Sequence, residues 1–141
     1  MAVHTKKLTF HMGQGNVVRD ITGDVREVVG ESGISNGTVT VQSGVSIGVI
    51  TTLEYEPGCL ADLEKALSVF APFDPPRYEH TRRWHDENGH GHVRNAIMGS
   101  SETFVVMNGE ICLETWQQII FCDYCPNVHP HHPVFVCVMG E

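Results

Sequence analysis

The sequence predicts a single compact α+β domain: a largely antiparallel or mixed β-sheet sandwich with two to three helices. The chain has 141 residues, the size of one domain, and no repeat or linker divides it. Stretches rich in β-branched residues, several with period-two alternation, recur along the whole chain. Between them lie apolar positions at helical spacing.

In chain order, residues 3–11 (VHTKKLTFH) mix apolar and polar side chains like a half-exposed strand, which GQG interrupts. In ITGDVREVVGESG, Val25, Val28 and Val29 share one helical face, Asp24 sits in the first turn, and Gly30 or Gly33 can end the helix. SNGTVTVQS is a turn followed by a strand with Val39 and Val41 on one face. VSIGVITTLEY reads as a second, buried strand. CLADLEKALSVFAP is the clearest helix, with an apolar stripe of Leu60, Leu63, Leu67 and Phe70 and with Pro72 beyond its end. Residues 72–83 form a Pro-rich, charged connection, and NGHGHVRNAIMG begins a short helix near Asn88 that stops at Gly99. TFVVM and EICLETWQQIIF flank Asn108-Gly109, the residue pair of a type I′ hairpin turn. A final strand, VFVCVMG, follows CDYCPNVHPHHP.

Composition narrows the function. A domain of this size buries enough surface to fold without a disulfide or metal. The formal charge of −8 argues against nucleic acid and against anionic membrane surfaces as partners. No run approaches a membrane span and the first residues lack a signal-peptide pattern, so the expected location is cytoplasmic. In that setting the five Cys read as free thiols.

The stretch WHDENGHGHVRN packs His85, Asp86, Glu87, Asn88, His90 and His92 together, with His80 upstream. Imidazole and carboxylate suit zinc and similar ions, and they suit acid–base work. On a helix His90 and His92 diverge by about 200°, so at most one of them faces a common site. The plain alternative is that Asp86 or Asn88 caps the helix and the histidines are solvated.

Other candidates have plain alternatives too. Cys122, Cys125, His129 and His132 invite a zinc reading, but their spacing is tighter than usual, and a polar loop between strands is the default. Trp116 and Gln117 stand in an apolar strand and would point to opposite faces, as core or interface residues. Arg77, Arg82, Arg83 and Arg94 could bind an anion such as phosphate or be surface charge. SGVSIG is rich in small residues but matches no phosphate loop.

TTLEYEPG, LADLEKAL, YEH, DENGHGHVRNAIMGSS, MNGEICLETWQQIIF and the terminal VMGE, in that order, resemble the YjbQ family over nearly all of the chain after residue 35. The resemblance implies a compact α+β domain with a large β-sheet assembly, a homotrimer, and a weak thiamine-phosphate synthase activity that joins a pyrimidine pyrophosphate to a thiazole phosphate. By position it implies a polar pocket served by His80, Asp86, Asn88, His92, Ser101, Trp116 and Gln117. The combined expectation is a small-molecule enzyme acting on a phosphorylated ligand. His92, Asp86, His80 and Gln117 would be catalytic, Asn88, Ser101, Trp116 and Arg94 would bind the ligand, and His80, Asp86 and His92 would hold a divalent metal, zinc or magnesium. The alternatives are a trimeric metal- or ligand-binding protein without catalysis and a zinc-dependent hydrolase. Two departures stand out. Val45-Ser46-Ile47-Gly48 replaces a His-Thr pair common in the family, and CDYCPNVHPHHP replaces a Gly-Pro-Arg segment, leaving His131, His132 or Arg77 to Arg94 for anion binding.

Overall fold

The computed structural model describes residues 1–13, 15–125 and 131–141, with the side chains of Asn16 and Cys125 outside the described set. The elements run β1 (Ala2–His11), β2 (Gly15–Asp20), α1 (Thr22–Ser32), β3 (Gly37–Ser43), β4 (Gly48–Leu53), α2 (Pro57–Phe70), a 3₁₀ turn (Pro75–Arg77), α3 (Glu79–Trp84), α4 (Gly89–Met98), β5 (Ser101–Met107), β6 (Glu110–Ile111), β7 (Gln118–Cys125) and β8 (His131–Gly140). They build two antiparallel sheets, one of order β1-β8-β3-β5-β6 and one of order β2-β7-β4.

The β8 pattern fixes one side of the sandwich, since Val134, Val136 and Val138 are buried while Phe135 and Met139 are exposed. Those valines meet Val39 and Val41 of β3, Ile50 of β4, Ile119 and Phe121 of β7, and the Val25, Val28 and Val29 face of α1. The other face of the β2-β7-β4 sheet is also covered, because Val49, Ile120, Cys122 and Tyr124 pack with Leu67 of α2. Burial on both faces explains why IIFC and VI read as continuous apolar runs. Among the described residues, no helix packs on the outward face of the larger sheet. Its cross-strand rows run Val3–Met139–Thr38–Val105, Thr5–Cys137–Thr40–Thr103 and Lys7–Phe135–Gln42–Ser101, in which Lys7 is the only charge.

The structure departs from the sequence expectations in several places. Residues 15–20, given no element above, form β2. The 72–83 connection is mostly helical, holding the 3₁₀ turn and most of α3. The strand expected over 110–121 splits: β6 ends at Ile111, and Trp116 and Gln117 lie in a turn before β7 begins. Only Leu67 of the α2 stripe is fully buried, and Phe70 faces outward at 43 % exposure. Among the described residues no helix is long and apolar enough to cross a membrane.

Candidate functional site

Helices α3 and α4 and the β3–β4 loop gather the polar cluster. α3 stops at His85, whose left-handed backbone (φ 58°) turns the chain back on itself. That reversal brings Asp86 to His80, with Oδ2 3.1 Å from Nε2, each side chain about a third exposed (35 % and 36 %). The His80 ring stands edge-on to His92, with centroids 4.5 Å apart. His92 also hydrogen-bonds the Ser46 backbone, which ties α4 to the β3–β4 loop. Burial pushes the His92 imidazole below its ordinary pKa, the nearby His80 pushes the same way, and Asp86 pulls back.

α4 lies close to β7 because Gly91 has no side chain: a Cβ there would come 2.7 Å from the Tyr124 carbonyl oxygen. Asn88 occupies the N-cap position and its carbonyl accepts from Gly91 N–H at 2.8 Å, but its side chain makes no capping bond. Its Oδ1, like Oδ1 of Asp86, is buried with no hydrogen-bond partner among the described residues. Asn88 instead lines a cleft of about 560 Å³, together with residues 44–47, His131 and His132.

The candidate residues therefore divide. His80, Asp86, Asn88 and His92 come together at the cleft and beside it. Arg94 does not, because it is fully buried on the other face of α4, bonding Glu64 through both terminal nitrogens (2.8 and 2.9 Å) and the Ala71 carbonyl through Nε. Ser101 is exposed at the start of β5. Trp116 is 72 % exposed and lines a separate cleft of about 420 Å³ with Asp20, Tyr55 and Glu54. The Gln117 side chain accepts from Glu114 N–H, so Gln118 is the residue whose amide ties strands, accepting from Tyr55 N–H at 2.9 Å and donating to the Thr115 carbonyl. Arg82 pairs with Glu79, and Arg77 and Arg83 are exposed.

His90 serves the core. It is fully buried among Phe73, Tyr78 and Tyr124, and burial, reinforced by Arg94, lowers its pKa from 6.5 to about 4. Cys122 is packed in the core as well, and burial raises its thiol to about 11. His129 and the Cys125 side chain, the other members of the tight Cys/His spacing with His132, lie outside the described residues. Sequence reasoning weighed the segment around Ser46 but gave that residue no place in the site, and it passed over Asp123, which is buried against His132 at 3.1 Å. The available signal was a carboxylate in the otherwise apolar run IIFCDYC.

The metal expectation can be set against this geometry. Among the described residues, no three His, Cys, Asp or Glu side chains form a ligand group. Nε2 of His80 and Oδ2 of Asp86 bond each other, and His92 meets this pair through its ring contact with His80.

Residues 6–141 match the sequence model of the family described as UPF0047 protein YjbQ-like. A UPF0047 protein of Methanothermobacter thermautotrophicus is 36 % identical over 87 % of this chain and 84 % of its own length. One from Synechocystis is 30 % identical over 91 % and 86 %. Among solved structures, a YbjQ-like protein of unknown function from Sulfolobus solfataricus P2 superposes with a TM-score of 0.90 at 25 % identity, covering 99 % of both chains. A hypothetical protein from Aeropyrum pernix K1 gives 0.86 at 27 % identity, covering 98 % of this chain and 99 % of its own.

Proposed function

This chain belongs to the YjbQ-like UPF0047 family, and from that premise we propose a cytoplasmic small-molecule enzyme that works on a phosphorylated ligand in the cleft at the start of α4. The observation that carries the reading is the Asp86–His80–His92 group. A carboxylate orients one imidazole, which lies against a second imidazole whose pKa is lowered by burial. At neutral pH such a His92 is unprotonated and ready to accept a proton, the condition for general base catalysis. Its bond to the Ser46 backbone holds it at the cleft rim.

The reaction to assay first is the thiamine-phosphate synthase type of transfer: His92 takes a proton from the exocyclic amine of the pyrimidine as the carbon–oxygen bond breaks and pyrophosphate leaves, the thiazole nitrogen bonds the methylene carbon, and the proton returns to the amine. Turnover is measured for the native protein, His92→Ala and Asp86→Ala. The expected result is a loss of about a hundredfold in each variant. Equal turnover in all three would remove these residues from the chemistry.

A bound divalent cation is the second reading. Its supporting observation is that two acceptor oxygens, Oδ1 of Asp86 and Oδ1 of Asn88, are buried with no donor among the described residues. An ion there would also draw on His80 or His92 once the His80–Asp86 bond opened, and would supply charge stabilisation to a phosphoryl group. Metal analysis of untagged protein beside Asp86→Ala decides it. The proposed assembly is a homotrimer built through the outward face of the larger sheet, because Val3, Val105, Phe135 and Met139 are exposed together on it. Val105→Asp is expected to reduce the mass seen by light scattering to that of a single chain.

A further inference from the structure

β1 ends where β8 begins, and the register there sets His11 opposite His131. Alternation decides which way these side chains point. The preceding pair, Phe10 and His132, turns inward and is buried, so His11 and His131 turn outward and are exposed. They share the outward face with the Lys7–Phe135 pair. β1 is an edge strand of the larger sheet, which leaves this corner open to solutes.

Residues directly opposite on antiparallel strands hold their Cβ atoms about 4.5–5.5 Å apart, close enough for both side chains to reach one ion. The two rings lie against each other, with centroids 5.1 Å apart and planes inclined at 58°. Two imidazoles bound to a single ion at about 2.1 Å, with a tetrahedral angle between the bonds, hold their centroids about 5 Å apart. The observed separation is that of two rings sharing an ion. Neither imidazole is spent elsewhere, since among the described residues neither has a hydrogen-bond or ion-pair partner. Other histidines differ in this: His80 bonds Asp86, His92 bonds the Ser46 backbone, and His4 approaches Glu31.

We propose that His11 and His131 together bind a divalent transition-metal ion, zinc or copper, at the rim of the cleft. Paired imidazoles are a nitrogen donor set that suits zinc, copper and nickel, whereas magnesium and calcium take oxygen ligands. The pair uses no residue of the Asp86–His80–His92 group, so this site stands apart from the cation reading above. Two protein ligands leave the ion coordination positions for water. His131 also lines the cleft, whose described lining contains no Lys, Arg, Asp or Glu, so the ion becomes the largest charge at its mouth.

The test titrates the full chain, without tag or chelator, with zinc, copper(II) and magnesium salts, followed by calorimetry and by the ring ¹⁵N resonances of His11 and His131. The native protein is expected to bind zinc, to bind copper more tightly, and to leave magnesium unbound at the same concentrations. Zinc is expected to shift both sets of resonances. His11→Gln and His131→Gln are each expected to weaken zinc binding about tenfold or more, and Asp86→Ala to leave this site intact. The resonance shifts are read on the native protein, so the test survives a variant that fails to fold. If zinc binds while the resonances of His11 and His131 stay fixed, or binds equally well in both Gln variants, the ion sits elsewhere and the proposal is overturned. If the native protein binds no zinc, the two rings are a solvated stacked pair and the proposal is overturned as well. The enzyme reading stands in either case, because His92 and Asp86 take no part in this site.

Discussion

On α4, His90 and His92 stand two positions apart and about 200° around the helix axis. His90 and Arg94 share the inner face, where both are fully buried, one among aromatic rings and the other ion-paired. His92 looks toward the β3–β4 loop, beside the Asp86 carboxylate and a second imidazole, and Oδ1 of that carboxylate is buried with no partner among the described residues. One polar stretch of sequence thus feeds two environments. The inner one satisfies its polar groups within the protein, and the outer one leaves acceptors that a ligand or ion can satisfy. Substitutions on the two faces should therefore fail in different ways.

The largest effect belongs to the inner face. Arg94→Ala removes the bonds to Glu64 and to the Ala71 carbonyl and the contact with the Tyr124 ring. Breaking a buried pair by deleting one partner costs about 3–5 kcal/mol; Glu64 is 46 % exposed and can be rehydrated, so the low end applies here. Urea unfolding measures it, and a loss below about 1 kcal/mol would mean that the inner face is not the stability element described.

Acidification separates the two histidines next. His90 titrates near 6.5 when unfolded and near 4 when folded. Between those values the unfolded chain binds the proton and the native chain does not. Stability is therefore fully present above about pH 6.5 and declines as the pH falls toward 4, by roughly 3 kcal/mol. Unfolding free energies measured from pH 7 to pH 4 should show that slope, and His90→Phe should flatten it.

His92→Ala reverses the pattern. The side chain is only part-buried, so the stability loss should stay near 1 kcal/mol while turnover falls about a hundredfold. A large stability loss with little change in turnover would move His92 to the structural side of the comparison.

How much of this was legible in the sequence depends on how local the cause was. The hairpin was legible because Asn108 and Gly109 themselves take the positive φ values (53° and 78°) that a type I′ turn needs. α1 was legible from Val25, Val28 and Val29, and the end of α4 from Gly99, whose φ is 99°. The divergence of His90 and His92 followed from helical geometry alone. The partners did not: Arg94 depends on Glu64, thirty residues away on α2, and His132 on Asp123 in the other sheet. Trp116 and Gln117 were misplaced because β7 begins only where Gln118 finds its partner Leu53 on β4, which no local pattern shows.

Asn88 gives the smallest and sharpest test. An asparagine at an N-cap ordinarily accepts a hydrogen bond from the first turn, and replacing it with alanine costs about 1 kcal/mol. Here the side chain makes no such bond, and its Oδ1 is buried at the cleft with no partner among the described residues. Asn88→Ala should therefore cost less than about 0.5 kcal/mol, or even stabilise slightly, because it removes an unsatisfied acceptor. Pyrophosphate binding should weaken in the same variant if Asn88 meets the ligand through its amide N–H groups. A full capping loss with unchanged binding would return Asn88 to the helix and take it out of the site. The predicted combination, near-neutral stability with weakened binding, would mark a residue kept at the start of α4 for what it offers the cleft.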